Sequence, residues 1–122
     1  MIIGNFVEFG GCNMWRDDDD RLDNILNFIV HKRISQYPLI CPICSTQELN
    51  FYMHRYKEHV HKGAIWIWCS NCKYFSHFSL VVPDWWENSN WIALEDLTAL
   101  PINLESKREQ ISKHIKNTIG NN

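Results

Sequence analysis

Two cysteine pairs limit what this chain can fold into more than any other feature. Cys41-Pro42-Ile43-Cys44 and Cys69-Ser70-Asn71-Cys72 are both C-x-x-C, and residues 45–68 lie between them. Zinc takes four deprotonated, soft ligands in a tetrahedron, and two short knuckles brought face to face by a hairpin supply that geometry. Cys41, Cys44, Cys69 and Cys72 would fill the shell and leave no position for water or substrate. The spacing therefore predicts a structural zinc site. Binding of this kind contributes on the order of 10 kcal/mol to folding, comparable to the whole stability of a small domain. Two redox-active pairs are the competing reading, but a redox C-x-x-C normally comes alone on a βαβ background.

Metal-bound cysteines call for a reducing compartment, and the rest of the chain is consistent with one. Its 122 residues, 45% hydrophobic and 13% aromatic with six tryptophans, predict one folded domain over 1–122. No apolar run approaches the roughly 20 residues that span a bilayer. The opening Met1-Ile2-Ile3-Gly4-Asn5-Phe6 has no basic region ahead of a long apolar stretch. The expectation is a cytoplasmic protein with no membrane segment, in which paired C-x-x-C motifs are ligands and not disulfides. Cys12 is left over and reads as a small buried hydrophobe. The net charge of −2 is unevenly spread. Residues 1–36 carry four basic and six acidic side chains, residues 37–79 four and two, and residues 80–122 four and six. Such a balance lacks the positive field that holds a phosphate backbone, and argues against nucleic acid as the partner.

Along the chain, Ile3, Phe6, Val7 and Phe9 ahead of Gly10-Gly11 predict a short strand or extended arm and a turn. The acidic run Asp17-Asp18-Asp19-Asp20 precedes Leu22, Ile25, Leu26, Ile29 and Val30, which recur with helical spacing. An amphipathic helix over about 20–36 follows, its first amides capped by the carboxylates and its end marked by Tyr37-Pro38. Strands are predicted at Glu48–Tyr56, Ala64–Trp68 and Lys73–Val82, the last stopped by Pro83. A final helix over about 104–119 takes Asn103 as N-cap, buries Leu104, Ile111, Ile115 and Ile119, and places Gly120 just beyond its end. The fold class is thus α+β. A small antiparallel zinc-ribbon sheet of about three strands, in a core over 38–82, packs with an N-terminal and a C-terminal helix.

On Ile65-Trp66-Ile67-Trp68 the pleat sends both tryptophans to one face and both isoleucines to the other, so both faces need cover. The two helices are expected on one face, with Trp85, Trp86 and Trp91 on the other. Aromatics set among Asp84, Glu87 and Asn88 also have the character of interface anchors. Candidate partner-binding residues are therefore Asp84, Trp85, Trp86, Glu87 and Trp91, together with Asp17, Asp18, Asp19 and Asp20. His54, His59 and His61 lie in or beside the hairpin loop without a third ligand for a second metal, and His77 is expected to be partly buried with a hydrogen bond. Arg55, Tyr56, Lys57 and Lys62 could pair with phosphates and stack on bases. They carry the alternative reading, a nucleic-acid-binding or transcription-associated module. The chain holds no nucleophile elbow, P-loop, dinucleotide-binding glycine pattern or H-E-x-x-H helix, and no enzyme is expected.

The stretch Cys41-Pro42-Ile43-Cys44, Ile65-Trp66-Ile67-Trp68-Cys69-Ser70-Asn71-Cys72, His77 and Pro83-Asp84-Trp85-Trp86 resembles small zinc-ribbon immunity proteins of bacterial polymorphic and contact-dependent toxin systems. The resemblance covers about residues 38–91. It implies a cytosolic, non-enzymatic protein that binds a cognate toxin domain and blocks its active site or substrate path. A mildly acidic, aromatic-rich domain agrees with that role. Acidic residues would speed association with a toxin built to hold nucleic acid, and aromatics would slow dissociation.

Overall fold

The computed structural model describes residues 15–56 and 61–120. The expected N-terminal arm with Cys12, and Lys57 and His59 of the hairpin loop, lie outside the described residues. In chain order the elements are β1 (Arg16–Asp17), α1 (Asp19–Val30), β2 (Leu49–Arg55), β3 (Lys62–Cys69), β4 (Tyr74–Val81), a 3-10 turn (Leu94–Asp96), α2 (Ile102–Ser106) and α3 (Arg108–Gly120). One sheet has the order β1-β4-β3-β2. The antiparallel ribbon of β2, β3 and β4 agrees with the three alternating runs, with Phe51 opposite Ile67 and Trp66 opposite His77. The fourth strand was not expected. Arg16 and Asp17 pair in parallel with Tyr74 and Phe75, so the sheet is mixed. A two-residue strand of one arginine and one aspartate is too short and too polar for alternation to reveal.

The register settles what covers each face. Ser76 shares the isoleucine face with Ile67, and its hydroxyl donates to Asp19 Oδ1 at 2.7 Å, so α1 lies on that side with Leu22 and Ile29 buried. The tryptophan face is covered by the chain that follows β4. Trp66 Nε1 donates to the Thr98 carbonyl at 2.7 Å, and Trp68 Nε1 donates to Glu105 Oε1 of α2 at 2.9 Å. The helices therefore bracket the sheet instead of sharing one face. The reason is that β1 ties α1 to the β4 edge, while the long connection after β4 crosses the opposite surface. His77 stacks on Trp66 with ring centroids 4.4 Å apart and bonds the Ile65 carbonyl oxygen through Nδ1, the partly buried role expected for it.

The outer edge of β2 is covered by a backbone bridge and two side chains, which reduces the usual hazard of unpaired strand amides. Leu39 and Leu49 exchange backbone hydrogen bonds, and the Tyr37 hydroxyl accepts from Phe51 N at 3.0 Å. Asn88 completes the edge. Its Oδ1 accepts from Arg55 N at 2.8 Å and its Nδ2 donates to Arg55 O at 2.9 Å, one amide imitating a strand partner.

Helix ends depart from expectation for local reasons. α1 stops at Val30, short of 36, because Lys32 adopts φ 57° and closes the helix: Lys32 N donates to Ile29 O and Arg33 N to Phe28 O. This double closure usually recruits glycine, and a lysine there carries no sequence signal. The C-terminal helix is broken in two at Lys107, whose amide bonds Leu104 O three residues back while Ser106 Oγ donates to Asn103 O at 2.7 Å. Hydroxyl bonding to a preceding carbonyl bends helices. Asn103 lies inside α2, where its Nδ2 holds the Asp96 carbonyl at 2.6 Å, and Gly120 is the last residue of α3. Among the described residues no helix is long and apolar enough to cross a membrane.

Candidate metal centre

The two knuckles lie at one end of the ribbon, one ahead of β2 and the other in the turn between β3 and β4. Pairing of Leu49 with Cys69 sets their separation. Cys41 Sγ and Cys72 Sγ are 3.8 Å apart, Cys44 Sγ and Cys69 Sγ are 3.6 Å apart, and all four sulfurs fall within 4.8 Å of one another. All four are free thiols, too far apart for an S–S bond. A tetrahedron with metal–sulfur bonds of about 2.3 Å has sulfurs about 3.8 Å apart. The four side chains thus form a cluster that could hold a metal ion, with Cys41 and Cys69 buried and Cys44 and Cys72 partly exposed.

Each knuckle is built the same way. Ser45 N donates to Cys41 O at 2.9 Å and Lys73 N to Cys69 O at 3.0 Å, closing a turn around each pair. Both closing residues are left-handed, Ser45 at φ 69° and Lys73 at φ 67°. Ile43 N points at Cys41 Sγ (3.4 Å) and Cys72 N at Cys69 Sγ (3.5 Å), the amide-to-sulfur bonds expected of such turns. Lys73 also places its ammonium 5.0 Å from the Trp15 ring centroid, tying the second knuckle to the residue ahead of β1.

Two polar side chains that the sequence reading missed complete the surroundings. The Thr46 hydroxyl lies 3.1 Å from Cys44 Sγ and 3.9 Å from Cys69 Sγ, and Asn71 Nδ2 donates to Cys44 Sγ at 3.5 Å. Their signal was position alone, within two residues of a cysteine. Burial by itself would raise the Cys44 thiol, but hydrogen bonds from Asn71 and Thr46 outweigh it and bring the group down to about 6. Burial pushes Cys72 up to about 12 and holds Cys41 above its ordinary value. Cys44 thus offers a ready thiolate, while Cys41 and Cys72 would give up their protons to a cation.

The candidate partner-binding residues separate into two groups. Asp17 pairs in β1, Asp18 caps α1 by accepting from Arg21 N at 3.0 Å, and Asp19 holds Ser76, while Asp20 is exposed. Much of the acidic run is therefore structural. Trp86 is wholly buried between Phe51, Tyr52 and the His114 ring, so it belongs to the core and not to a contact surface. Trp85 is half-buried, its indole N–H donating to the Val30 carbonyl at the end of α1. Asp84, Glu87 and Trp91 are exposed. Of the residues proposed for nucleic acid, Lys62 is exposed, Tyr56 is partly buried and Arg55 is engaged within the fold. The Arg55 guanidinium donates to the carbonyls of Trp86 (2.9 Å) and Pro83 (2.6 Å).

Fold and site together define a class: an α+β domain with a four-stranded mixed sheet and a four-cysteine cluster able to take a metal ion. No protein-family model, curated protein or solved structure matches the chain.

Proposed function

We propose that the chain is a zinc-stapled, non-enzymatic binding protein that neutralises a cognate bacterial toxin domain through protein–protein contacts. The observation that carries the zinc assignment is the set of four sulfurs at tetrahedral spacing, since thiolate-only tetrahedra are taken by zinc far more often than by harder cations. A shell filled by protein ligands has no open position, so the metal's role is to hold the knuckles, and activity belongs to the surfaces they support. The binding role is supported by the exposed Trp91 and by the resemblance to zinc-ribbon immunity proteins. Engagement of Arg55 by backbone carbonyls disfavours the nucleic-acid alternative, which relied on that guanidinium.

Two measurements test this. Protein purified without chelator should carry one zinc per chain, and cobalt substitution should give the intense visible bands of a tetrahedral thiolate site. Stripping the metal should unfold the ribbon, because its loss removes on the order of 10 kcal/mol. A metal-free protein with unchanged stability would refute the staple. For the binding role, the product of the neighbouring gene is expressed with and without this chain. Equal growth inhibition in both cases, or none in either, would refute neutralisation.

A further inference from the structure

The four sulfurs of the cluster are not equivalent. Cys41 and Cys69 are buried, whereas Cys44 and Cys72 are partly exposed. Among the described residues, hydroxyl and amide side chains approach only one edge of the cluster, that between Cys44 and Cys69. Thr46 Oγ1 lies 3.1 Å from Cys44 Sγ and 3.9 Å from Cys69 Sγ, so it spans the pair. The exposed Asn71 donates its side-chain amide to Cys44 Sγ at 3.5 Å. The two sulfurs themselves are 3.6 Å apart. The other pair that reaches across the knuckles, Cys41 and Cys72, is 3.8 Å apart without such neighbours.

These are the parts of an oxidant-sensitive thiol pair. A thiolate is the form that attacks an electrophilic oxygen, and a metal ion keeps its cysteine ligands in that form. Oxidation follows thiolate character and exposure, and a second cysteine beside the first turns a sulfenic acid into a disulfide. Cys44 is the accessible sulfur, Cys69 is the buried one behind it, and Thr46 offers a hydroxyl where a leaving oxygen would need a proton. A disulfide is about 2.0 Å long, so side-chain rotation at the two residues closes the 3.6 Å gap.

We infer that the Cys44–Cys69 edge is a modification site for hydroperoxides, at which oxidation exchanges the metal staple for a disulfide between the knuckles. Cys44 Sγ attacks one oxygen of hydrogen peroxide, the O–O bond breaks, and the departing hydroxide leaves as water on a solvent proton relayed by Thr46. Cys69 Sγ then attacks the sulfur of the Cys44 sulfenic acid and expels hydroxide, which a second solvent proton converts to water. In sum, two thiolates, one hydrogen peroxide and two protons give one disulfide and two waters. The sulfurs lose two electrons and the peroxide gains them. The bond consumes two of the four clustered sulfurs, so the cluster can no longer hold its ion. It also ties the knuckle ahead of β2 to the end of β3, a cross-link that a bridge inside either knuckle would not supply. The inference rests on the zinc-staple reading above and is independent of the toxin-binding one.

The test uses the zinc-loaded chain carrying Cys12→Ser, which leaves the four cluster thiols as its only cysteines. Zinc release under excess hydrogen peroxide is followed with a zinc-binding dye, and the bridge is located by trypsin digestion and mass spectrometry. Cleavage after Arg33, Arg55, Lys62 and Lys73 puts Cys41 and Cys44 on peptide 34–55 and Cys69 and Cys72 on peptide 63–73. Fragmentation between the cysteines of each peptide then assigns the bond. The expected product joins Cys44 to Cys69, and dithiothreitol with zinc should restore the loaded form. Thr46→Val should slow release about tenfold or more at unchanged zinc affinity and urea midpoint, whereas Thr46→Ser should keep the parent rate. A bridge inside one knuckle, a Cys41–Cys72 bridge formed first, sulfinic acid without a bridge, zinc retained under peroxide, or a parent rate in Thr46→Val would each overturn the inference. The staple and the switch also fail separately. A chain isolated without zinc refutes the staple, and the bridge that peroxide forms in it still decides the pairing.

Discussion

Glu105 carries a measurable share of the fold. Its Oε1 accepts from Trp68 Nε1 at 2.9 Å and from Ser70 Oγ at 2.7 Å, while Oε2 accepts from Arg108 at 2.7 Å. Trp68 is fully buried, and Ser70 lies inside the second knuckle, so one carboxylate links α2 to both the core and the four-cysteine cluster. Glu105→Ala would leave the indole N–H without an acceptor, at a cost of about 1–3 kcal/mol. Losing the charge-assisted bond from Ser70 adds about 1 kcal/mol, moderated because Asn50 Nδ2 still donates to that hydroxyl. The Arg108 pair, half-exposed on the arginine side, adds less than about 1 kcal/mol. The expected total is about 3 kcal/mol. In zinc-saturated buffer, followed by tryptophan fluorescence, the urea midpoint should fall by about 2 M with an unchanged slope. Glu105→Gln keeps an acceptor oxygen and should cost about 1 kcal/mol. A double-mutant cycle with Trp68→Phe should return a coupling of about 1.5 kcal/mol or more. A Glu105→Ala cost below about 1 kcal/mol, or additivity within about 0.5 kcal/mol, would refute the account.

Two further changes probe the local physics. Ser45 is exposed and left-handed at φ 69°, so Ser45→Gly should raise stability by about 0.5–1 kcal/mol in urea unfolding, and a lowered midpoint would contradict the strain. His54 is almost wholly buried, its Nδ1 has no hydrogen-bond partner among the described residues, and burial lowers its pKa below the ordinary 6.5. The unfolded chain takes up that proton first. The His54 contribution is therefore intact above pH 6.5 and is lost as pH falls from there through the folded pKa. His54→Leu should flatten the stability profile in that window, and equal slopes for the two proteins would rule the mechanism out.

What could be read in advance followed physical periods and spacings. Alternation along 49–55, 62–69 and 74–81 located the ribbon, because a pleat repeats every two residues whatever lies around it. C-x-x-C spacing located the four clustered cysteines, because a knuckle is closed by bonds within a few residues. The start of α1 was legible for the same reason: Asp18 caps an amide three residues away. Its end was not, since Lys32 took a conformation that sequence preference assigns to glycine. β1 and the break at Lys107 escaped because each rests on one or two hydrogen bonds that leave no pattern.

The sequence by itself determined the three ribbon strands, the start of α1 and which four cysteines could cluster, since these depend on contacts between neighbours in the chain. Tertiary structure alone decided how those parts face one another. It placed α1 and α2 on opposite faces, took Trp86 into the core, tied Arg55 to the connection after β4 and brought Thr46, Asn71 and Glu105 to the cluster and its support. Trp86 and Trp91 show why. Both are tryptophans in one acidic segment, yet one is wholly buried and the other 39% exposed. Which ring turns inward depends on Phe51, Tyr52 and His114, distant residues that only the closed fold brings near.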